Sequence, residues 1–222
     1  YIAAHFDAES LEKRALNKRA LQERAHLPVR AEVPLLGMIS RLTDQKGFDL
    51  LGQVVQPLFA QGVQFVVMGV GDQHYQEMFQ NMAVRYPEQV ASFLTFNTEM
   101  AQVIYAGSDM FLMPSRWEPC GLGQLIAMRY GCVPIVRAVG GLADTVQEYD
   151  PRTGEGNGFT FDRYDPWEFF AAIVRALEVY RFQDIWQTLQ RRCMAADHSW
   201  QASALRYIEV YRDAIAFHKG GQ

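Results

Sequence analysis

The sequence predicts an α/β fold, a Rossmann-like parallel sheet sandwiched by helices that ends in a C-terminal helical arm. Three observations carry this. Short apolar runs alternate with longer helix-like patterns along the chain. Charged or glycine-bearing loops follow the apolar runs, where a parallel sheet places its ligand-facing loops. From Asp165 onward only helical patterns remain. Alternating strands and helices demand right-handed crossovers, which make neighbouring strands parallel.

The bulk properties set limits. The 222 residues fit one large α/β domain, read here as a single unit over 1–222. A formal net charge of −4 argues against non-specific nucleic-acid binding. Three cysteines, Cys120, Cys132 and Cys193, with no CxxC pair argue against a disulfide framework or a zinc knuckle. They favour a reducing compartment. No apolar run reaches membrane-spanning length and no signal peptide is visible, so no membrane partner is expected. The chain opens on Tyr1 rather than Met and is expected to be part of a longer polypeptide.

Residues 7–25 read as a helix capped by Asp7. Leu11, Ala15, Leu16, Ala20 and Leu21 form its apolar stripe, and Lys13, Arg14, Lys18, Arg19 and Arg24 its solvated face. Pro34–Ser40 reads as the first buried strand. It runs into Arg41-Leu42-Thr43-Asp44-Gln45-Lys46-Gly47, which puts two cations at the carboxyl end of a strand. There they could hold a diphosphate. Equally, one could be solvated and the other paired with Asp44 or Asp49.

Gly62–Gly69 is the second strand, and Gly69-Val70-Gly71-Asp72 leads into a helix ending near Tyr86. The two glycines need mean only a tight turn, with Asp72 as helix cap. His74 is expected on the helix face. Val90–Thr95 is a third strand, and 98–107 a short helix capped by Thr98. Tyr105, inside that helix, could stack on a nucleobase or pack in the core.

The fourth strand, Asp109–Met113, enters the stretch that organises the chain, Pro114-Ser115-Arg116-Trp117-Glu118-Pro119-Cys120-Gly121-Leu122-Gly123-Gln124-Leu125. This reads as a tight loop followed by a helix start. A helix N-terminus offers free N–H groups and partial positive charge to a phosphate, and glycine lets the ligand come close. Glu118, just before that helix, suits sugar hydroxyls rather than phosphate. The implied ligand is a sugar joined to a phosphate. As alternatives, Glu118 caps or pairs with Arg116, and Cys120 is a small buried hydrophobe.

A fifth strand spans Gly131–Val136, a Gly140-Gly141 turn opens a short amphipathic piece, and Gly158–Phe161 is the last strand. The loop 150–158 between them is too short to divide two domains. Asp165-Pro166 starts a helix running to about 180, followed by helices over 182–195 and 199–218. In the last, capped by Ser199, Trp200, Ala204, Tyr207, Tyr211 and Ile215 share one face that needs a partner, either this domain or a second one.

Taken together, Arg41-Leu42-Thr43-Asp44-Gln45-Lys46-Gly47-Phe48-Asp49-Leu50, the 114–122 loop, Gly123-Gln124-Leu125 with Ala127–Gly131, and Gly140–Val146 resemble the glycogen and starch synthase family. Asn17–Gln22 and Ser199-Trp200 with Tyr207 and Tyr211 are similar too, so the resemblance runs in order along nearly the whole chain. It implies the C-terminal, nucleotide-sugar-binding half of a two-domain GT-B transferase that retains anomeric configuration. The donor implied is ADP-glucose, less often UDP-glucose. The acceptor is the non-reducing end of an α-1,4-glucan, and the compartment a bacterial cytoplasm or plastid stroma. The N-terminal, acceptor-side domain, with its Lys-x-Gly-Gly loop and histidine, lies outside this chain, so donor binding without efficient turnover is expected.

Carried over, Arg41 and Lys46 clamp the diphosphate and stabilise the departing nucleotide. Glu118 accepts hydrogen bonds from the glucosyl hydroxyls. Cys120, Gly121 and Leu122 give backbone groups, and Tyr105 lies toward the adenine. No metal or other cofactor is implied, the two cations standing in for one. The resemblance implies front-face displacement, with the leaving phosphate helping to deprotonate the acceptor. One departure concerns the wider GT-B group, many of whose members carry a second glutamate eight positions after the first. Here that position is Ile126, which puts in doubt a second acid for the ribose. Two other readings stay open: a glucosyltransferase with a different acceptor, and a non-catalytic nucleotide- or glucan-binding module.

Overall fold

A computed structural model describes residues 1–220. Its strands are β1 (Leu35–Ile39), β2 (Gln64–Met68), β3 (Val90–Phe93), β4 (Met110–Met113), β5 (Val133–Arg137) and β6 (Phe159–Phe161). They form one sheet in the order β3-β2-β1-β4-β5-β6, with every pair parallel. All six lie where the apolar runs place them; β5 runs one residue further, to Arg137.

The strands lack polar alternation because both faces are covered. Successive residues point to opposite sides. Leu36, Met38, Phe65 and Val67 face one layer, with Phe48, Phe79 and Phe169. Leu35, Val66 and Met68 face the other, with Leu21, Met100, Val103 and Ile104.

The helices are α1 (Arg14–Arg24), α2 (Phe48–Gln53), α3 (Val55–Phe59), α4 (Gln73–Arg85), α5 (Thr98–Gly107), α6 (Gly123–Arg129), α7 (Gly141–Thr145), α8 (Pro166–Tyr180), α9 (Gln183–Ala195) and α10 (Trp200–Gly220). The pair α2 and α3 has no counterpart in the sequence reading. The two are separated at Val54, whose ψ of 12° leaves the helical region.

Several local expectations need correction. Asp7 does not cap a long helix: its carboxylate accepts from the Glu9 and Ser10 amides, and a 3-10 turn at Leu11–Lys13 precedes α1. The larger correction concerns the buried face of α1. Ala15 and Leu16 are exposed, whereas Arg14, Asn17, Lys18 and Gln22 are buried. Arg14 donates to the carbonyls of Ala106, Ser108 and Gly131. Lys18 meets Asp109 at 2.7 Å, and Asp109 also accepts from the Leu35 amide. These are the amino-terminal ends of strands and the carboxyl ends of helices, where backbone carbonyls and a carboxylate await donors.

Asn97, not Thr98, caps α5, accepting from the Met100 amide at 3.0 Å. Asp72 stands at the N-cap of α4 but makes no side-chain cap bond. Asp165 caps α8 and Ser199 caps α10 as expected. Among the described residues nothing covers the apolar row of α10: Trp200 is 89% exposed and Tyr211 62% exposed. Among the described residues no helix is long and apolar enough to cross a membrane.

Candidate functional site

The chain winds from β1 to β2 and β3 on one side, then returns to β4 and continues to β5 and β6 on the other. The winding direction reverses between β1 and β4. In such sheets the loops leaving these two strands part and open a crevice at the carboxyl ends. A cavity of about 240 Å³ lies there. The loop after β1 supplies Arg41 and Lys46, and the loop after β4 supplies Glu118, Gly121 and Leu122. Tyr105 of α5 lines it as well. Six of the seven residues singled out from sequence therefore meet; Cys120 is exposed and outside the lining.

Close backbone contact locks the two loops together. Gly47 has φ +75°, and a Cβ there would sit 1.9 Å from the Pro114 carbonyl oxygen, so only glycine fits. The Arg116 amide donates to the Gln45 carbonyl at 2.8 Å, and Gln45 Nε2 donates to the Trp117 carbonyl at 3.1 Å. On the far side the Gly140-Gly141 turn backs the loop: the Gly141 amide donates to Glu118 O, and a Cβ on Gly141 would strike Cys120 O at 1.9 Å. The Gly69 and Gly71 pair serves packing. Each sits against the backbone of the first loop, at Ser40 and Leu42.

The charges pair differently from either sequence reading. Lys46 takes neither Asp44 nor Asp49; its Nζ lies 2.6 Å from Glu118 Oε2. Asp44 accepts from the Tyr75 hydroxyl instead, and Asp49 pairs with Arg116. Glu118 is thereby not the partner of Arg116. The Ser115 hydroxyl also donates to Glu118 Oε2, at 3.0 Å. Both donors use one oxygen, and among the described residues Oε1 has no hydrogen-bond partner. That oxygen is an open acceptor for a hydroxyl.

Arg41 is exposed and in no ion pair among the described residues, so its guanidinium is available to an anion. No side chain caps α6 at Leu122, which leaves the amides of the first turn without intrahelical partners. A second anion-favouring element thus stands across the cavity from the cations. Tyr105 is buried, with its ring centroid 4.9 Å from that of Phe111 and 6.0 Å from that of Tyr130. Burial raises its phenol above the ordinary range, so it stays protonated. Ile126 lines the cavity at the position of the missing second glutamate. His74 stands on the exposed face of α4.

Two side chains at the site went unassigned from sequence. Ser115 orients Glu118, and its place three residues before the acid was the available signal. Gln124 is fully buried and donates to the carbonyls of Cys120 and Gly121 and to Thr145 Oγ1. Nothing in a lone glutamine of a helix start marks that task. Among the described residues no group of three or more His, Cys, Asp or Glu side chains could hold a metal ion.

A crevice at the reversal of a parallel sheet, lined by two cations and by a helix start, is the arrangement of an α/β domain able to take an anionic ligand. Comparison with known proteins narrows this. The family model described as glycosyl transferases group 1 matches residues 21–191, and the chain belongs to that family. A glycogen synthase of Desulforudis audaxviator is 52% identical over 212 residues, covering 95% of this chain and 42% of that protein. One from Kosmotoga olearia is 49% identical, covering 96% of this chain and 45% of that protein. The chain therefore spans less than half the length of these curated relatives. Among solved structures, the catalytic domain of starch synthase IV from Arabidopsis thaliana, bound to ADP and acarbose, superposes with a TM-score of 0.87. It is 36% identical, and the match covers 97% of this chain and 45% of that one. The fold is that of the C-terminal domain of a GT-B glycosyltransferase.

Proposed function

We propose that this chain is the donor-binding half of a glucan synthase that moves glucose from ADP-glucose to the non-reducing end of an α-1,4-glucan with retention. The observation that carries the reading is the Lys46–Glu118 pair in the β1/β4 crevice beside Arg41, which is unpaired among the described residues. ADP in the related starch synthase structure supports a nucleoside diphosphate as ligand. The names of the bacterial relatives support the glucan as acceptor.

In this reading Arg41 and Lys46 take the diphosphate and stabilise charge on the leaving nucleotide. Glu118 offers Oε1 to a glucosyl hydroxyl. The amides at Gly121 and Leu122 add dipole at the same spot, Cys120 supports the turn from outside, and Tyr105 forms the floor on the nucleoside side. The acceptor glucan and the attacking hydroxyl belong to a second, N-terminal domain. The uncovered aromatic face of α10 is the surface offered to it. The relatives fit a bacterial cytoplasm or plastid stroma.

The test is calorimetric titration of this chain with ADP and UDP, without added metal, alongside Lys46→Ala. ADP should bind at about 0.1–1 mM, because one wall of the cleft is supplied by the other domain. Lys46→Ala should weaken it at least about tenfold. Undetectable binding of either nucleotide at several millimolar would count against a preformed donor site.

A further inference from the structure

The loops that carry Lys46 and Glu118 are joined a second time, outside the cavity. Asp49 lies three residues after Lys46, in the first turn of α2. Its Oδ2 accepts from Arg116 Nη2 at 3.1 Å, and Arg116 stands two residues before Glu118. The two ion pairs bridge the same loops with opposite polarity.

The other oxygen of Asp49 accepts from the hydroxyl of Tyr164, which comes from the segment between β6 and α8. The Arg116 guanidinium lies 4.2 Å from the centre of the Tyr164 ring, within cation–π range. Arg137, at the end of β5, donates to the Arg116 carbonyl at 2.7 Å and to the Asp162 carbonyl at 3.0 Å. Segments leaving β1, β4 and β6 thus converge on one carboxylate and one guanidinium, and Arg137 of β5 braces the backbone at Arg116.

None of Asp49, Arg116 and Tyr164 lines the cavity. The Arg116 and Asp49 side chains are 44% and 35% exposed, a setting in which an ion pair adds little to stability. A diphosphate in the cavity would draw Lys46 away from Glu118 and remove one of the two bridges. The second bridge has no ligand to lose its partner to.

We propose that Asp49, Arg116 and Tyr164 are positioning residues that hold the Lys46 and Glu118 loops at a fixed separation through the transfer step. This rests on the reading of the cavity as the donor site. The two hydrogen bonds at Gln45, one backbone and one side-chain, and the Gly47–Pro114 contact fix the base of the loops. The Asp49–Arg116–Tyr164 clasp fixes the turn that aims Glu118.

The test uses the full-length polypeptide with ADP-glucose and glycogen, measuring kcat, KM and melting temperature. Asp49→Asn and Arg116→Ala should each lower kcat by roughly 10- to 100-fold, the cost of a small misplacement. KM should stay within about threefold, since Arg41 and Lys46 are retained. Melting temperature should move by no more than about 2 °C. The double variant should be no slower than the slower single one, because both break one unit. Arg116→Lys should restore only part of the rate, lacking the planar fork and the ring contact. Unchanged kcat in both single variants, additive losses, or losses matched by a large fall in melting temperature would overturn the clasp alone. Failure of the unsubstituted protein to transfer glucose would overturn the donor reading and the clasp with it.

Discussion

Lys46 Nζ and Glu118 Oε2 lie 2.6 Å apart, with side chains only 16% and 9% exposed. The site is therefore closed upon itself electrostatically. Any anion that takes Lys46 must compete with a carboxylate already holding it, and must then lie beside that carboxylate. Glu118→Gln should remove both obstacles. It is expected to bind ADP about three- to tenfold more tightly while losing glucosyl transfer, as read by calorimetry and a transfer assay. Equal or weaker binding would show that the pair does not oppose the nucleotide.

Gly47 offers a backbone test of the same loop. Its positive φ, and the 1.9 Å that would separate an added Cβ from Pro114 O, leave no room for alanine. Gly47→Ala should destabilise by roughly 3 kcal/mol or more, since backbone must move. Gly62→Ala, at φ +73° with no neighbour within 4 Å, should cost only about 1 kcal/mol. Denaturant melts of the two variants decide it; similar losses would mean that the loop contact is loose.

At the opposite end of the sheet, Lys18 and Asp109 are 8% and 11% exposed and paired at 2.7 Å. Lys18→Met leaves Asp109 charged and nearly buried. A loss of roughly 3–5 kcal/mol is expected, with the crevice at the other end of the sheet untouched. Chemical denaturation measures the loss, and unchanged ADP affinity in the folded variant checks its confinement.

The thiols separate by exposure. Cys120 is exposed, whereas Cys132 and Cys193 are buried. Burial pushes the Cys132 thiol up and that of Cys193 up to about 12. At about pH 8 a thiol reagent should modify Cys120 alone in the native protein, and the other two only after unfolding. The raised acids also set an alkaline limit. The folded state keeps the Cys193 proton, so this stabilising contribution is whole below the ordinary thiol value of 9.0 and is lost as pH rises toward about 12. A melting temperature that held steady across that window would contradict the burial of these thiols.

The sheet was legible because β1 (Leu35–Ile39), β2 (Gln64–Met68) and β4 (Met110–Met113) are apolar throughout apart from Gln64, a pattern that a doubly covered strand produces. The cavity residues were legible as well, because Arg41, Lys46 and Glu118 stand shortly after strand ends. Who pairs with whom was not. Lys46 and Glu118 are 72 residues apart in sequence, and only the sheet order makes their loops neighbours. For α1 the periodicity misled: Arg14 and Lys18 read as solvated, yet the termini of strands and helices beneath them supply carbonyls and Asp109 as partners. Burial of a cation depends on acceptors contributed from elsewhere in the fold, which a one-dimensional pattern does not carry.

The bare flank of α10 also decides how this chain can be handled. Trp200, Tyr207, Tyr211 and Ile215 share one exposed face, and none of them belongs to a core cluster. Produced alone, the chain carries a sticky row that invites self-association at high concentration. Cutting before Trp200 removes that row and leaves every strand, the crevice and both loop bridges in place.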